Sequence, residues 1–228
     1  MAGAGLCSRR EAESWIADGR VKVNGKKILS PALNVTEKDA VVVDGKLLQA
    51  RDETKLWLYH KPSGLVTTHK DPEGRRTVFE ALPKTMPRVI SIGRLDLNSE
   101  GLLLLTNDGT LARKLELPST GWIRKYRVRV YGNITTSMLA EMRKGVSVDG
   151  INYGGIEAVV DSTKGGNSWL TVSLREGKNR EIRKVFEHFG CTVNRLLRLS
   201  YGPFLLGSLE KGEVKEVTQK VLKSFVTI

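Results

Sequence analysis

The chain has 228 residues, 40% of them hydrophobic and 27% charged, which describes an ordinary globular protein with room for one large domain or one medium and one small. Lysine and arginine number 37 against 25 aspartates and glutamates, a formal net charge of +12 that points to a polyanionic partner, nucleic acid being the usual one. No apolar run reaches the roughly 18 residues of a membrane helix, and the 2 cysteines and 3 histidines stand in no ligand spacing, which excludes a disulfide framework and predicts no metal site.

With no signal peptide visible, these features predict a cytoplasmic protein with free thiols. In chain order, Ser8, Arg9, Arg10 and Glu11 fit a helix-opening capping box, with Ser8 at the N-cap and Glu11 reaching back. Ala12, Trp15 and Ile16 then give one apolar face, and Gly19 supplies the left-handed stop. Val21, Lys22 and Val23 alternate into Asn24–Gly25, a type I′ hairpin turn, and Lys26, Lys27 and Ile28 return. Residues 41–43 followed by Asp44–Gly45 predict a further strand and turn. Arg9, Arg10, Arg20, Lys22, Lys26 and Lys27 crowd the side away from the apolar stripe. Residues 49–55 are polar and aperiodic, a short linker between a domain over residues 1–50 and another over 55–228.

In the second domain, residues 56–59 read as a strand running into a turn at Lys61, Pro62, Ser63 and Gly64, with residues 65–68 as the next strand. Residues 89–92 and 102–105 are short buried strands. The connection between them carries Arg94, Asp96 and Glu100, and polar groups on a loop held by buried strands are where binding and catalysis concentrate. Leu111, Ala112 and Leu115 mark a helix that ends before Pro118. Residues 123–130 alternate at period two, placing Arg124, Tyr126, Val128 and Val130 on one side and Lys125, Arg127 and Arg129 on the other. A helix over 135–144 buries Met138, Leu139 and Met142. Gly165, Gly166 and Asn167 turn a hairpin joining 156–161 to 169–174. Ile182, Val185, Phe186 and Phe189 recur at i, i+3, i+4 and i+7, an amphipathic helix closed by Gly190 with Arg180, Arg183 and Lys184 at its flank. A terminal helix lies near 218–225.

Three strings resemble known families. Ser-Arg-Arg-Glu-Ala-Glu, Gly-Arg-Val and Val-Asn-Gly near the amino terminus resemble the S4 RNA-binding domain, and the resemblance implies that Ser8, Arg9, Arg10, Arg20 and Lys22 meet RNA. In that family a helix begins upstream of the matched segment, so a truncated or shortened start is expected here. Gly-Arg-Leu-Asp followed by Ser-Glu-Gly-Leu-Leu-Leu-Leu-Thr-Asn-Asp-Gly, over residues 93–109, resembles the central motif of pseudouridine synthases that modify ribosomal RNA. Asn-Arg-Glu-Ile-Arg-Lys, over residues 179–184, resembles their third motif.

By that resemblance Asp96 is the catalytic carboxylate and Arg183 is the arginine that pairs with it. Tyr126 stacks on the target base, Ile182 packs against the base pocket, and Arg94 belongs to the substrate site. Lys61 and Pro62 shape the cleft wall, with Lys61 among the substrate-binding residues. Arg180 and Lys184 contact RNA, and Arg195 and Arg198 are further candidates for it. The implied fold is α+β: a small S4-like helix and hairpin module, then a mixed, largely antiparallel sheet with flanking helices. The implied reaction breaks N1–C1′ of a uridine, turns the uracil and rejoins it through C5, with no cofactor. The implied partner is ribosomal RNA, 23S in preference to 16S, free or in an assembly intermediate, met by a monomer. A non-catalytic RNA-binding assembly factor is the alternative of a different class. No groove-reading motif supports DNA binding.

Overall fold

A capping box opens the first helix, α1 (Arg9–Ala17): Ser8 Oγ accepts the Glu11 amide at 3.2 Å, and Glu11 Oε2 accepts the Ser8 amide at 2.7 Å. In the computed structural model, which describes residues 1–225, α1 lays Ile16 against a small sheet of β1 (Val21–Val23), β2 (Lys26–Lys27), β3 (Val41–Val43) and β4 (Lys46–Leu47). The strand order is β2-β1-β3-β4, and Val21 faces Val43 across the central pair. Both hairpins turn on a residue pair with positive φ, Asn24 and Gly25 at 51° and 78°, and Asp44 and Gly45 at 49° and 80°. These are the type I′ conformations that match strand twist.

The polar linker is not slack along its length. Arg51 pairs with the Asp108 carboxylate, Thr54 Oγ1 donates to the same carboxylate at 2.8 Å, and the Lys55 amide donates to Asn107 Oδ1 at 2.8 Å. Its second half is thus strapped to the amino end of a helix of the second domain.

That domain contains β5 (Leu56–Lys61), β6 (Ile90–Ile92), β7 (Ser99–Thr106), α2 (Gly109–Glu116), β8 (Arg124–Tyr131), α3 (Thr136–Lys144), β9 (Val146–Val148), β10 (Ile151–Tyr153), β11 (Glu157–Lys164), β12 (Asn167–Leu174), α4 (Glu181–His188), β13 (Thr192–Tyr201), β14 (Phe204–Leu205), β15 (Val214–Glu216) and α5 (Gln219–Phe225). A nine-stranded sheet runs β11-β12-β8-β13-β7-β5-β15, with β14 beside β13 and β6 beside β7. Its pairings are antiparallel except for β13 with β7, so the expected mixed, largely antiparallel architecture is what forms. The parallel seam depends on Gly101. Its φ is 103°, and a Cβ there would stand 2.3 Å from the Arg198 carbonyl oxygen.

One face of the sheet buries Val128, Val130, Leu170 and Val172 under Met138 and Met142 of α3 and Ile182, Val185 and Phe186 of α4. The other face is covered only near β7, where Leu102 and Leu104 pack with Leu111 and Leu115 of α2 and Leu222 of α5. Covered on both faces, β7 is buried at every residue, which explains its continuous apolar run where the half-covered β8 alternates.

Two expectations need correction. Residues 65–68 form no strand. They carry a single bridge between Val66 and Thr77, and the Thr67 side chain ties them to the backbone of Leu95. Glu100 lies inside β7 rather than on the preceding connection, buried and ion-paired with Arg195 and Lys211.

Candidate active site

The loop between β6 and β7 is held from beneath by one buried cation. Lys61, at the end of β5, is 0% exposed. Its ammonium donates to the carbonyls of Pro62 (3.0 Å), Asp96 (3.1 Å), Leu97 (3.3 Å) and Ser99 (2.9 Å). A lysine deprived of water in this way is tolerated because every proton meets a carbonyl. Burial still pushes its pKa down to about 8, against the pull of Asp96 and Glu100. Two further ties fix the loop: the Gly64 amide donates to the Leu97 carbonyl at 2.8 Å, and Thr67 Oγ1 donates to the Leu95 carbonyl at 2.8 Å. Lys61 therefore lies under the cleft and not in its wall, a correction to the substrate-binding role expected of it.

Above the loop opens a cavity of about 500 Å³. Asp96 lines it, its side chain 32% exposed, with the Arg180 guanidinium 4.0 Å away. Tyr126, Leu174, Ile182 and Leu196 supply apolar walls, and Arg94, Arg124 and Lys178 also line the cavity. The alternation of β8 puts Tyr126 on this side, and Ile182 comes from the first turn of α4. Arg94 is exposed and has no hydrogen-bond or ion-pair partner among the described residues.

The arginine beside Asp96 is not the expected one. Arg183 donates to the carbonyls of Val193 at 2.7 Å and Asn98 at 3.2 Å and does not line the cavity. It braces the loop's far end, and burial lowers its pKa. Arg180 instead reaches Asp96, from the N-cap of α4, with a left-handed φ of 52°. A non-glycine residue there costs about 1 kcal/mol or more, and such strain gathers at functional sites.

Several lining residues were not singled out as site groups in the sequence. Arg124 Nη1 donates to the Glu176 carbonyl at 3.0 Å and Nη2 to Tyr201 Oη at 3.0 Å, tethering the segment before α4. Its inward position in the β8 alternation, beside Tyr126, was the available signal. Glu181 is buried, its pKa raised by desolvation, with Oε2 accepting the Lys178 amide at 2.9 Å. Nothing local marked it, since a glutamate at the start of a helix is ordinary.

Of the remaining candidates, Arg198 is buried, with Nε donating to the Leu102 carbonyl at 2.7 Å, and Arg195 is held by Glu100 at 3.0 Å. Arg198 is thus turned from a surface contact to the lining of the cavity, while the Arg195 side chain stays 42% exposed. Ser8 spends its hydroxyl on the helix cap. Arg20 pairs with Asp44 and lies 4.5 Å over the Trp15 ring. Arg9, Arg10 and Lys22 are exposed, and Lys184 is half-buried on the α4 flank, all four without side-chain partners among the described residues. Arg9 and Arg10 occupy the first turn of α1, where the helix dipole disfavours cations, so they do not serve the helix. Among the described residues no group of histidine, cysteine and carboxylate side chains could hold a metal ion, and no helix is long and apolar enough to cross a membrane.

The family model described as RNA pseudouridylate synthase matches residues 55–188, and the S4 domain model matches residues 1–46. The chain belongs to the RNA pseudouridylate synthase family. It is a pseudouridine synthase acting on RNA, with an S4 domain at its amino end. A Rickettsia bellii protein named "Uncharacterized RNA pseudouridine synthase" is 54% identical over 98% of this synthase and 96% of its own length. The Pseudomonas aeruginosa protein named "Ribosomal large subunit pseudouridine synthase B" is 41% identical over 96% of this chain and 58% of its own length. Among solved structures, one titled "Crystal structure of pseudouridylate synthase" superposes with a TM-score of 0.71 over 98% of this synthase and 96% of that chain. At 24% identity that likeness concerns the fold.

Proposed function

We propose that this synthase converts a uridine of large-subunit (23S) ribosomal RNA to pseudouridine, with Asp96 as its catalytic carboxylate. The observation that carries the assignment is the placement of Asp96: a carboxylate on a backbone that Lys61 holds at the Asp96, Leu97 and Ser99 carbonyls, lining a cavity that also has a tyrosine and an isoleucine in its wall. The large-subunit target is supported by relatives of that name from Pseudomonas aeruginosa, at 41% identity, and Haemophilus influenzae, at 42%.

The roles follow from position. The target uridine leaves its stack and enters the cavity, where the Tyr126 ring offers a platform and Ile182 an apolar contact; such stacking contributes roughly 1–3 kcal/mol. The Arg180 guanidinium, 4.0 Å away, aims the Asp96 carboxylate, and Arg183 acts on it through the loop backbone. Asp96 then either attacks C1′ or abstracts a ribose proton. In both routes the N1–C1′ bond breaks, a C5–C1′ bond forms, C5 loses its proton and N1 gains one, so uracil is neither oxidised nor reduced. Arg94 at the cavity, Lys184 on the flank of α4, and Arg9, Arg10 and Lys22 on the module meet RNA phosphates. Residues 1–50 grip the RNA and residues 55–228 perform the chemistry. The working enzyme is a cytoplasmic monomer acting on free ribosomal RNA or an assembly intermediate.

Pseudouridine mapping of ribosomal RNA from cells with and without the gene tests this. Loss of one 23S site is expected. Loss at a 16S site would retain the chemistry and overturn the target, while unchanged maps would favour a binding factor.

A further inference from the structure

The strand that presents Tyr126 to the cavity presents something different on its other side. Lys125, Arg127 and Arg129 of β8 are exposed and have no carboxylate partner among the described residues. Alternate residues of a strand lie about 6.8 Å apart on one face, close to the spacing of successive phosphates along an extended nucleic acid strand. Directly across the register, Trp169 of β12 opposes Arg129. Trp169 is only half-buried, and the Arg127 and Arg195 guanidinia lie 5.1 Å and 6.0 Å from its ring centre. The helices α2 and α5 cover this face of the sheet only around β7 and leave the β8–β12 half bare.

An open row of three cations beside an aromatic ring joins the two elements that hold single-stranded nucleic acid: charge tracking the backbone and a ring for a base to stack on. The nearby carboxylates leave the row with a positive excess. Glu100 is ion-paired with Arg195 and Lys211, and Asp161, which accepts from the Thr171 hydroxyl, keeps its charge but forms no ion pair with the row among the described residues. We propose that this bare face is a second RNA-binding surface, which takes an unpaired stretch of the substrate RNA running beyond the segment in the catalytic cleft. The proposal rests on the RNA-modifying function but not on which uridine is modified.

The test compares wild-type protein with the triple variant K125S/R127S/R129S, and with W169A and W169F, each checked for an unchanged melting curve. Two RNAs are used: a short stem-loop that fills only the cleft, and the same stem-loop extended by a single-stranded flank. The triple variant is expected to bind the extended RNA at least tenfold more weakly. Its log affinity against log salt should be shallower by about 2, as expected for three lost phosphate contacts to a single strand. Binding and conversion of the short stem-loop should stay at the wild-type level. W169A should weaken the extended complex with little change in salt slope, and W169F should restore most of it. Equal affinity and slope for wild type and triple variant on the extended RNA would overturn the proposal. So would an equal loss on both RNAs, or intact RNA binding with lost capture of an acidic ribosomal protein. If the wild type itself neither binds nor converts the short stem-loop, the functional assignment fails first, and the two failures are thereby told apart.

Discussion

Two cations flank the loop that carries Asp96, and they are built in opposite ways. Lys61 lies beneath it, sealed from water, with its ammonium shared among four backbone carbonyls. Arg180 lies above it, half exposed, in a strained backbone conformation, and touches only the carboxylate's edge at 4.0 Å. The buried cation determines where the backbone runs. The exposed one acts on the charge at its end. Screening by water makes the second a weak tie, whereas desolvation makes the first both strong and costly to disturb. Position and charge are therefore assigned to different residues, and each can be altered without the other.

The sharpest break removes the group that both cations serve. Asp96→Asn should lower kcat by about 10³-fold or more, as loss of an acid–base or nucleophilic carboxylate does, with RNA affinity held within a few fold. Single-turnover conversion and filter binding measure the two, and parallel loss of both would make the carboxylate structural. Next in size, Lys61→Met leaves four inward-facing carbonyls without their donor. A destabilisation of about 3 kcal/mol is expected, with kcat falling further than the fraction unfolded explains; denaturant melts beside rate measurements decide it.

The same lysine predicts that activity and stability part in alkali. Its pKa is near 8 in the folded protein against an ordinary value of 10.5. Between those values the unfolded chain binds more protons than the folded one, so this group's contribution to stability rises with pH. The neutral amine has fewer donors than the four carbonyls require, so kcat should fall above about pH 8 while the melting temperature does not fall with it. An alkaline limb that tracked melting would contradict the clamp.

Arg180→Gly sharpens the contrast from the other side. Glycine relieves the left-handed strain, so stability should hold or rise by up to about 1 kcal/mol, while kcat falls severalfold, as suits an exposed pair. The smallest effect belongs to the module: Ser8→Ala should cost about 1 kcal/mol of local helix stability. It would show as faster hydrogen exchange over residues 9–17, with conversion of a short stem-loop unchanged.

How legible these features were in the sequence depended on range. The capping box at Ser8, the turn at Asn24–Gly25, the alternation of β8 and the apolar stripe of α4 are signals contained within a few residues, and each formed as its spacing implied. The burial of Lys61 is settled by partners up to 38 positions away, and that of Glu100 by Arg195, 95 positions away. Neither reads as buried charge from its neighbours. Arg180 and Arg183 lie one helical turn apart on the same flank, so periodicity could not rank them. A left-handed N-cap swung Arg180 toward Asp96, while Arg183 turned to the carbonyls behind the loop. The expected strand at 65–68 finds no ladder partner beyond one bridge to Thr77, and local β propensity does not supply one.

The strapped linker has a consequence for how substrate is gathered. The last backbone bond of the module is made by the Leu48 amide to Val41, and Arg51 is already tied to Asp108. Only three peptide units separate those anchors, a reach of about 10 Å at full extension. If the module grips RNA as proposed, a hairpin held by α1 would be presented to the cleft at the millimolar effective concentration of a very short tether. Capture by the module would then substitute for tight binding at the cavity, leaving the cavity free to release its product once the new carbon–carbon bond has formed.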